Sequence, residues 1–541
     1  MRKMSAKSSF LIILLALYFG SILNITFWIY IKTHVNITGF SVGIFVCTLP
    51  FFMFALMHII LNVLVIPILD KFVIPFLMIT SAVVSYMMYS YGVYIDSDMI
   101  RNTFETNTRE AADLITFSVV LWTFFLGIIP SILLFFTKIE YKPLKSELKR
   151  RLFMVFLSFV IIMIIAALSY KEYASFGRNN SHVRKLVTPI NYVYSVWKYF
   201  KIESLANRNF EQLDPEAKLI PYEDPALTVF VMILGETARA QNFALGGYEK
   251  NTNPTLTNED IVYFDSVSSC GTSTAISVPC MFSNMSRKSF DVANAKFSEN
   301  ILDLARESDY NVFWRENDDG CKGVCDRVNS EIMIKTPNKD RYCDDKSCYD
   351  EILLDGLEEY LHNIKQDTFI VLHTIGSHGP TYYKRYPNKF RVFEPTCDTA
   401  QIQDCTQDKI INTYDNTIVY TDYIISQTID ILKKFPNHES GLLYISDHGE
   451  SLGEKNIYLH GLPYAIAPKE QTNVPMILWM SENMKKYDHI DYDCMKNDAK
   501  TKSYSHDNLF HSILGLLEIK TKTYNKELDM FENCRTKALP H

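Results

Sequence analysis

Three hydroxyls, Thr272, Ser273 and Thr274, lie between Cys270 and Cys280 in the run SCGTSTAISVPC. They follow an apolar stretch, Ile261 to Val267, that reads as a strand, and precede small residues that suit the start of a helix. A helix N-terminus offers free amides and the positive end of a dipole, so it stabilises an anion. A hydroxyl placed there and activated by a metal ion can attack a phosphoryl group and carry it as a covalent intermediate. The same residues also suit a plain helix cap, and the local sequence does not choose among the three hydroxyls. A Cys270–Cys280 disulfide would hold this loop rigid and favour accurate placement.

Carboxylates and imidazoles recur just beyond apolar runs. Thr228 to Leu234 leads into Gly235-Glu236-Thr237, and Thr368 to His373 into Ser377-His378-Gly379-Pro380. Leu442 to Ser446 leads into Asp447-His448-Gly449-Glu450, followed by Tyr458-Leu459-His460-Gly461. Ligands of open α/β sheets gather beyond the carboxyl ends of strands, so Glu236, His378, Asp447, His448 and His460 are expected to converge. Carboxylate with imidazole suits zinc, or manganese. Any one of these histidines alone would read as a hydrogen-bonded loop residue; their recurrence at several strand ends favours a metal centre.

These strands, alternating with helical stretches, form an α/β domain, but only in the later part of the chain. The 541 residues divide in character: largely apolar before about residue 170, polar and cysteine-rich after about residue 225. The net charge of −7 argues against nucleic acid as a partner. Five long apolar runs suit membrane-spanning helices: Phe10 to Ile31, Phe40 to Leu69, Phe72 to Ile95, Leu114 to Thr137 and Leu152 to Tyr170. Arg2, Lys3 and Lys7, and the basic loop from Lys138 to Arg151, belong on the cytoplasmic side. The loop after the third span has Arg101 and Arg109 against five carboxylates and belongs outside. The domain after the fifth span is therefore also outside.

The cysteines bear on topology independently. Ten of the eleven lie beyond residue 225, in close pairs: Cys270/Cys280, Cys321/Cys325, Cys343/Cys348, Cys397/Cys405 and the wider Cys494/Cys534. An even, paired set in an oxidising compartment reads as disulfides, with nearest-neighbour pairing the simplest pattern. The domains are then 1–170 in the membrane, 171–225 a connector and linker, and 226–541 catalytic. The connector, with Tyr192, Tyr194, Trp197 and Phe200, suits either a helix at the membrane interface or an ordinary packed linker; residues 211–225, with Pro215, Pro221 and Pro225, read as the linker proper.

Together, GETARA (235–240), SCGTSTAISVPC (269–280), GSHGP (376–380), SDHGESLGE (446–454) and YLHGLP (458–463) resemble the phosphoethanolamine–lipid A transferase family, which includes the mobile colistin-resistance enzymes. The resemblance spans essentially the whole chain. It implies five transmembrane helices followed by an α/β catalytic domain of alkaline-phosphatase/sulfatase-like hydrolase fold. It implies Thr274 as the nucleophile and Glu236, Asp447 and His448 as zinc ligands, with Thr274 completing the sphere. It implies that His378 and His460 act in catalysis and bind the substrate phosphate or a second zinc, and that Lys322 lines the substrate pocket. Asp318, four residues before Lys322, stands where some relatives carry Asn. Asn102, Thr106 and Glu110 of the outer loop resemble residues that reach the lipid headgroup or the active site.

The implied reaction takes phosphoethanolamine from phosphatidylethanolamine to lipid A of lipopolysaccharide through a covalent phosphothreonine, in a monomer of the bacterial inner membrane with its catalytic domain in the periplasm. Polymyxin resistance is the implied phenotype. A sulfatase is disfavoured, because no C/S-x-P-x-R signature is present. A phosphoglycerol transferase of the same fold would differ in donor headgroup, which the residues do not distinguish. A membrane sensor that only binds metal or lipid would not need a hydroxyl on a clamped loop beside metal ligands.

Overall fold

The computed structural model describes residues 5–35, 40–67, 69–105, 112, 114–204, 209–220, 226–337, 339–344 and 347–539. The chain divides into two compact units: Met1–Ile100 with Ile115–Lys198, and Arg101–Leu114 with Tyr199–His541.

In the first unit five helices are long and apolar enough to cross a membrane: α1 (Ser8–His34), α2 (Phe40–Leu64), α3 (Asp70–Tyr91), α5 (Phe117–Phe136) and α6 (Leu144–Tyr173). They fall on the five expected spans. Helix α2 stops short of the expected Leu69, ahead of Pro67, and Gly92 closes α3 with φ of +71°. The short helix α4 (Ser97–Glu105) lies between α3 and α5. Large apolar side chains such as Phe51, Phe72, Phe136 and Phe153 are exposed, as a lipid-facing surface requires. Two buried polar side chains are paired: His58 Nδ1 lies 2.8 Å from Ser158 Oγ, and the Asn24 amide donates to the Phe19 and Thr188 carbonyls at 2.6 and 2.8 Å. Gly127 lets α5 approach α3 closely, since a Cβ there would stand 2.9 Å from Ile79 Cα. Helix α7 (Ile190–Ser204) exposes Tyr194, Trp197 and Phe200 and buries Tyr192. Pro221 and Pro225 lie outside the described residues.

The second unit is built on a seven-stranded sheet: β1 (Thr228–Gly235), β2 (Val262–Tyr263), β3 (Asn311–Glu316), β4 (Asn329–Ile332), β5 (Thr368–His373), β6 (Glu439–Ser446) and β7 (Met476–Met480). The order is β2-β7-β6-β1-β5-β3-β4. The run β6-β1-β5-β3-β4 is parallel, and β7 and β2 add antiparallel at one edge. Parallel strands covered on both faces are apolar throughout, as TVFVMILG is in β1. Alternate residues of β1 enter two cores. Phe230, Met232 and Leu234 pack with Trp314 and Ile445; Val229, Val231 and Ile233 pack with Ile370, Leu372 and Tyr444. The strand expected from Ile261 to Val267 is two short pieces instead, β2 and Val267–Ser268.

All five nearest-neighbour disulfides are formed: Cys270–Cys280, Cys321–Cys325, Cys343–Cys348, Cys397–Cys405 and Cys494–Cys534. Cys47, in α2, is free. Ile233 is fully buried at the centre of the sheet. Ile233→Ala should cost about 2–5 kcal/mol through lost burial and a cavity, read as a lower denaturant midpoint for the catalytic unit.

Candidate active site

The strand register sets the site. Ser446 of β6 pairs with Gly235 of β1, while Leu234 pairs with His373 of β5 and His373 with Glu316 of β3. The residues that follow, Glu236 and Asp447, therefore leave the same sheet edge side by side. Asp447 N–H donates to the Gly235 carbonyl at 2.9 Å, and Ser377 N–H donates to the Glu236 carbonyl at 3.0 Å. Gly376 makes that second contact possible. Its φ is +49°, and a Cβ would meet the Glu236 carbonyl oxygen at 2.6 Å.

The hydroxyl run opens helix α8 (Thr274–Met281), with Ser273 as its cap residue. Geometry separates the three hydroxyls. Thr272 donates to the Leu462 carbonyl at 2.6 Å. Thr274 Oγ1 donates to Glu236 Oε2 at 3.1 Å and lies 3.4 Å from His448 Nε2. It is also in the first turn of α8, where free amides and the helix dipole favour negative charge.

Glu236, Asp447 and His448 are all sealed from solvent, with one ligand atom of each within 4.8 Å of the others. His448 Nδ1 is 2.9 Å from the Gly449 carbonyl, which can only accept, so Nδ1 carries the hydrogen and the Nε2 lone pair faces the carboxylates. Burial holds the His448 pKa well below its usual value, and the neighbouring His460 adds to this, so the ring is neutral. Burial also raises the Asp447 pKa to about 6. Two buried carboxylates face a neutral imidazole nitrogen, a donor set whose negative charge a divalent cation would offset. Two oxygens and a nitrogen, with Thr274 Oγ1 as a fourth donor, suit zinc.

Of the other expected residues, His460 and His378 lie nearby. The His460 ring centre lies 4.5 Å from that of His448 and 5.7 Å from that of His378. Lys322, with φ of +52°, binds the Asp319 carbonyl at 2.8 Å and the Asp319 carboxylate at 3.1 Å. Asp318 approaches His373 rather than Thr274, its Oδ2 being 3.8 Å from His373 Nε2. Asn102 is on α4, whose last residue, Glu105, belongs to the same unit as Lys296 and Lys322; it pairs with Lys296 at 3.0 Å, and its carbonyl is 3.5 Å from Lys322 Nζ. Thr106 and Glu110 lie outside the described residues.

Several residues were not singled out from sequence. Glu450, fully buried, lies 3.3 Å from His460 Nδ1. His506 accepts Cys270 N–H on Nδ1 at 3.1 Å and donates from Nε2 to the Ser446 carbonyl at 3.0 Å. Ser277 donates to the Asp447 carbonyl. His506 and Ser277 thus tie the hydroxyl loop to the loop bearing Asp447 and His448. Arg239 pairs with Glu454 at 2.6 Å and donates to the Glu450 carbonyl at 3.2 Å, bracing the latter loop. Arg239, Ser277 and Glu450 lie inside the motifs GETARA, SCGTSTAISVPC and SDHGESLGE, whereas His506 lies in an otherwise ordinary segment.

Residues 228–519 match the sulfatase family, and residues 53–203 match phosphoethanolamine transferase EptA/EptB. Phosphoethanolamine transferase EptA of Escherichia coli (strain K12) is 41% identical over 530 residues, 97% of this chain and 96% of its own. The chain belongs to the phosphoethanolamine transferase family. Phosphatidylethanolamine transferase Mcr-1 of Escherichia coli is 38% identical over 423 residues, 76% of this chain and 78% of its own. The integral membrane lipooligosaccharide phosphoethanolamine transferase A of Neisseria meningitidis superposes with a TM-score of 0.95 at 39% identity, covering 98% of this chain and 99% of that one. This family member is a transferase and a multi-pass membrane protein, with an alkaline-phosphatase/sulfatase-like domain after its five apolar helices.

Two predictions concern the loops of this transferase. Gly376→Ala should displace the Glu236 backbone and lower kcat on the order of 10²-fold, with the fold retained by circular dichroism. His506 is buried, and burial lowers its pKa from 6.5 to about 3. Its unfolded form therefore binds the extra proton first. The stability this group contributes is full above about pH 6.5 and is lost as pH falls toward about 3. Denaturant midpoints between pH 7 and pH 4 should fall, and His506→Gln should make the fall shallower.

Proposed function

We propose that this enzyme transfers phosphoethanolamine from phosphatidylethanolamine to the lipid A part of lipopolysaccharide through a covalent intermediate on Thr274. Residues 1–170 anchor it in the inner membrane, residues 171–225 connect, and residues 226–541 act in the periplasm. It works as a monomer and confers polymyxin resistance. The observation that carries the reading is the Thr274 hydroxyl, 3.1 Å from Glu236 and 3.4 Å from His448 at a helix N-terminus. Family membership supports the transferred group. Relatives named for phosphatidylethanolamine and for lipooligosaccharide support the donor and the acceptor.

Glu236, Asp447, His448 and Thr274 would hold zinc, which when bound lowers the hydroxyl pKa and offsets charge on the phosphoryl oxygens. In the first half-reaction the Thr274 Oγ1–phosphorus bond forms and the bond from phosphorus to the diacylglycerol oxygen breaks. The hydroxyl proton starts on the hydrogen bond to Glu236 Oε2. The departing oxygen needs a proton, which His378 or His460, beside His448, supplies. In the second half a phosphate or hydroxyl oxygen of lipid A bonds to phosphorus as the phosphorus–Thr274 Oγ1 bond breaks; the acceptor's proton returns to the same histidine, and Thr274 Oγ1 takes back the proton it passed to Glu236 Oε2. Alignment and charge stabilisation carry most of phosphoryl transfer, which suits a hydroxyl held by a disulfide-bridged loop. Tyr194, Trp197 and Phe200, exposed on α7, suit contact with lipid headgroups.

The test incubates purified, zinc-loaded full-length protein with phosphatidylethanolamine and reads intact and peptide masses. One phosphoethanolamine on Thr274, absent in Thr274→Ala and lost after chelation, is expected. Labelling by phosphatidylglycerol instead would replace the headgroup, and no labelling by any phospholipid would favour a binding module.

A further inference from the structure

Glu236 belongs to a second buried group. A carboxylate oxygen of Glu236, one of Asp318 and a ring nitrogen of His373 also lie within 4.8 Å of one another. The register that sets the first centre builds this group as well. His373 ends β5 between Leu234 of β1 and Glu316 of β3, and Asp318 lies two residues beyond Glu316.

The His373 ring is sealed from solvent and packs edge-on to Trp314 at 5.5 Å. Its Nδ1 is 2.9 Å from Glu316 Oε2, which also accepts the Trp314 indole N–H at 2.8 Å. Glu316 Oε1 accepts the Asp318 backbone N–H at 2.8 Å. Glu316 is thus fixed from three sides and fixes His373 in turn. A carboxylate that takes the Nδ1 hydrogen orients the ring, so Nε2 is the nitrogen a cation would bind, in exchange for its proton. His373 Nε2 is buried and has no hydrogen-bond partner among the described residues. It faces Asp318 Oδ2 at 3.8 Å. Two carboxylate oxygens and this nitrogen lie within 4.8 Å of one another, a donor set that can hold a divalent cation once the ring proton leaves. Ligands at about 2.1 Å from one ion stand about 3.4 Å apart on a tetrahedron, so small side-chain shifts would close the shell.

We propose that Glu236, Asp318 and His373 form a second divalent-cation site, for zinc or manganese, that shares Glu236 with the Thr274 centre. This placement differs from the one the family resemblance suggested, at His378 and His460, where His460 already faces Glu450. It rests on the proposed first centre only through the shared Glu236. A cation there would hold Glu236 in place from behind the hydroxyl contact and fix the spacing of β1, β3 and β5 at the site. Asn at position 318 would remove a negative ligand and weaken the site.

The test is an anomalous difference map at the zinc edge from crystals of the full-length enzyme grown with zinc chloride, with metal analysis of wild type, Asp318→Asn and His373→Gln. Two peaks are expected, one by Thr274 and one between Asp318 and His373, and zinc per chain should fall from two to one in either variant. A single peak by Thr274, with one zinc per chain in all three proteins, overturns the second site and leaves the first intact. A second peak at His378 and His460 overturns it too. No peak overturns both centres. If a variant fails to fold, the wild-type map decides. Repeating the map at the manganese edge with manganese chloride identifies the preferred ion.

Discussion

Two carboxylates, Glu236 and Asp447, are sealed from water at the carboxyl edge of a parallel sheet, and much of the catalytic unit is arranged around holding them there. Leaving an ionised carboxylate buried and uncompensated costs several kcal/mol. The chain offsets part of this with donors. Thr237 N–H and His448 N–H both reach Asp447 Oδ1, at 3.2 and 2.7 Å, and the Thr274 hydroxyl reaches Glu236. The remainder is the electrostatic reason for a cation, and it places the reactive hydroxyl beside that cation. The site's negative charge and its reactivity are therefore one property.

Precision comes from loops anchored to each other rather than only to their own strands. His506 joins the Cys270 loop to Ser446, and Ser277 joins α8 to Asp447. Asp350, whose pKa burial raises to about 6, accepts the Ile375 and Gly376 amides and so steadies the loop that carries His378. Tyr414 of the long helix Gln407–Lys433 donates to the Thr237 carbonyl at 2.7 Å and accepts Arg239 N–H at 2.9 Å. Each loop that bears a site residue is held at a second point, as fixed positioning of a nucleophile requires.

What was legible in the sequence follows from how far each signal reaches. Five uncharged runs and closely spaced cysteine pairs are local patterns, and they specified the membrane helices and the disulfides. TVFVMIL followed by Gly-Glu-Thr, and LLYIS followed by Asp-His-Gly, are local too, and they marked the sheet edge. The choice among Thr272, Ser273 and Thr274 was not local, because it depends on a Leu462 carbonyl 190 residues away that takes the Thr272 hydroxyl. His506 and Glu316 were missed for the same reason. Each looks ordinary in its own segment, and each matters only through strands and loops that register brings alongside. The strand expected from Ile261 to Val267 broke in two because its ends pair with different partners, β7 and Tyr504–Ser505.

The disulfides have a bearing on how the protein is made. Four of the five close rings over sequence separations of only 4, 5, 8 and 10 residues, and the fifth over 40. Because the ten cysteines after Cys47 bond in five consecutive pairs, no bridge must wait for a segment beyond the next cysteine. A polypeptide emerging from its N-terminal end can oxidise each pair in order as the second thiol arrives, without passing through a mispaired isomer that must later be reshuffled. The loop carrying Thr274 would be the first to be locked in this way, before the strand that supplies Asp447 and His448 has emerged.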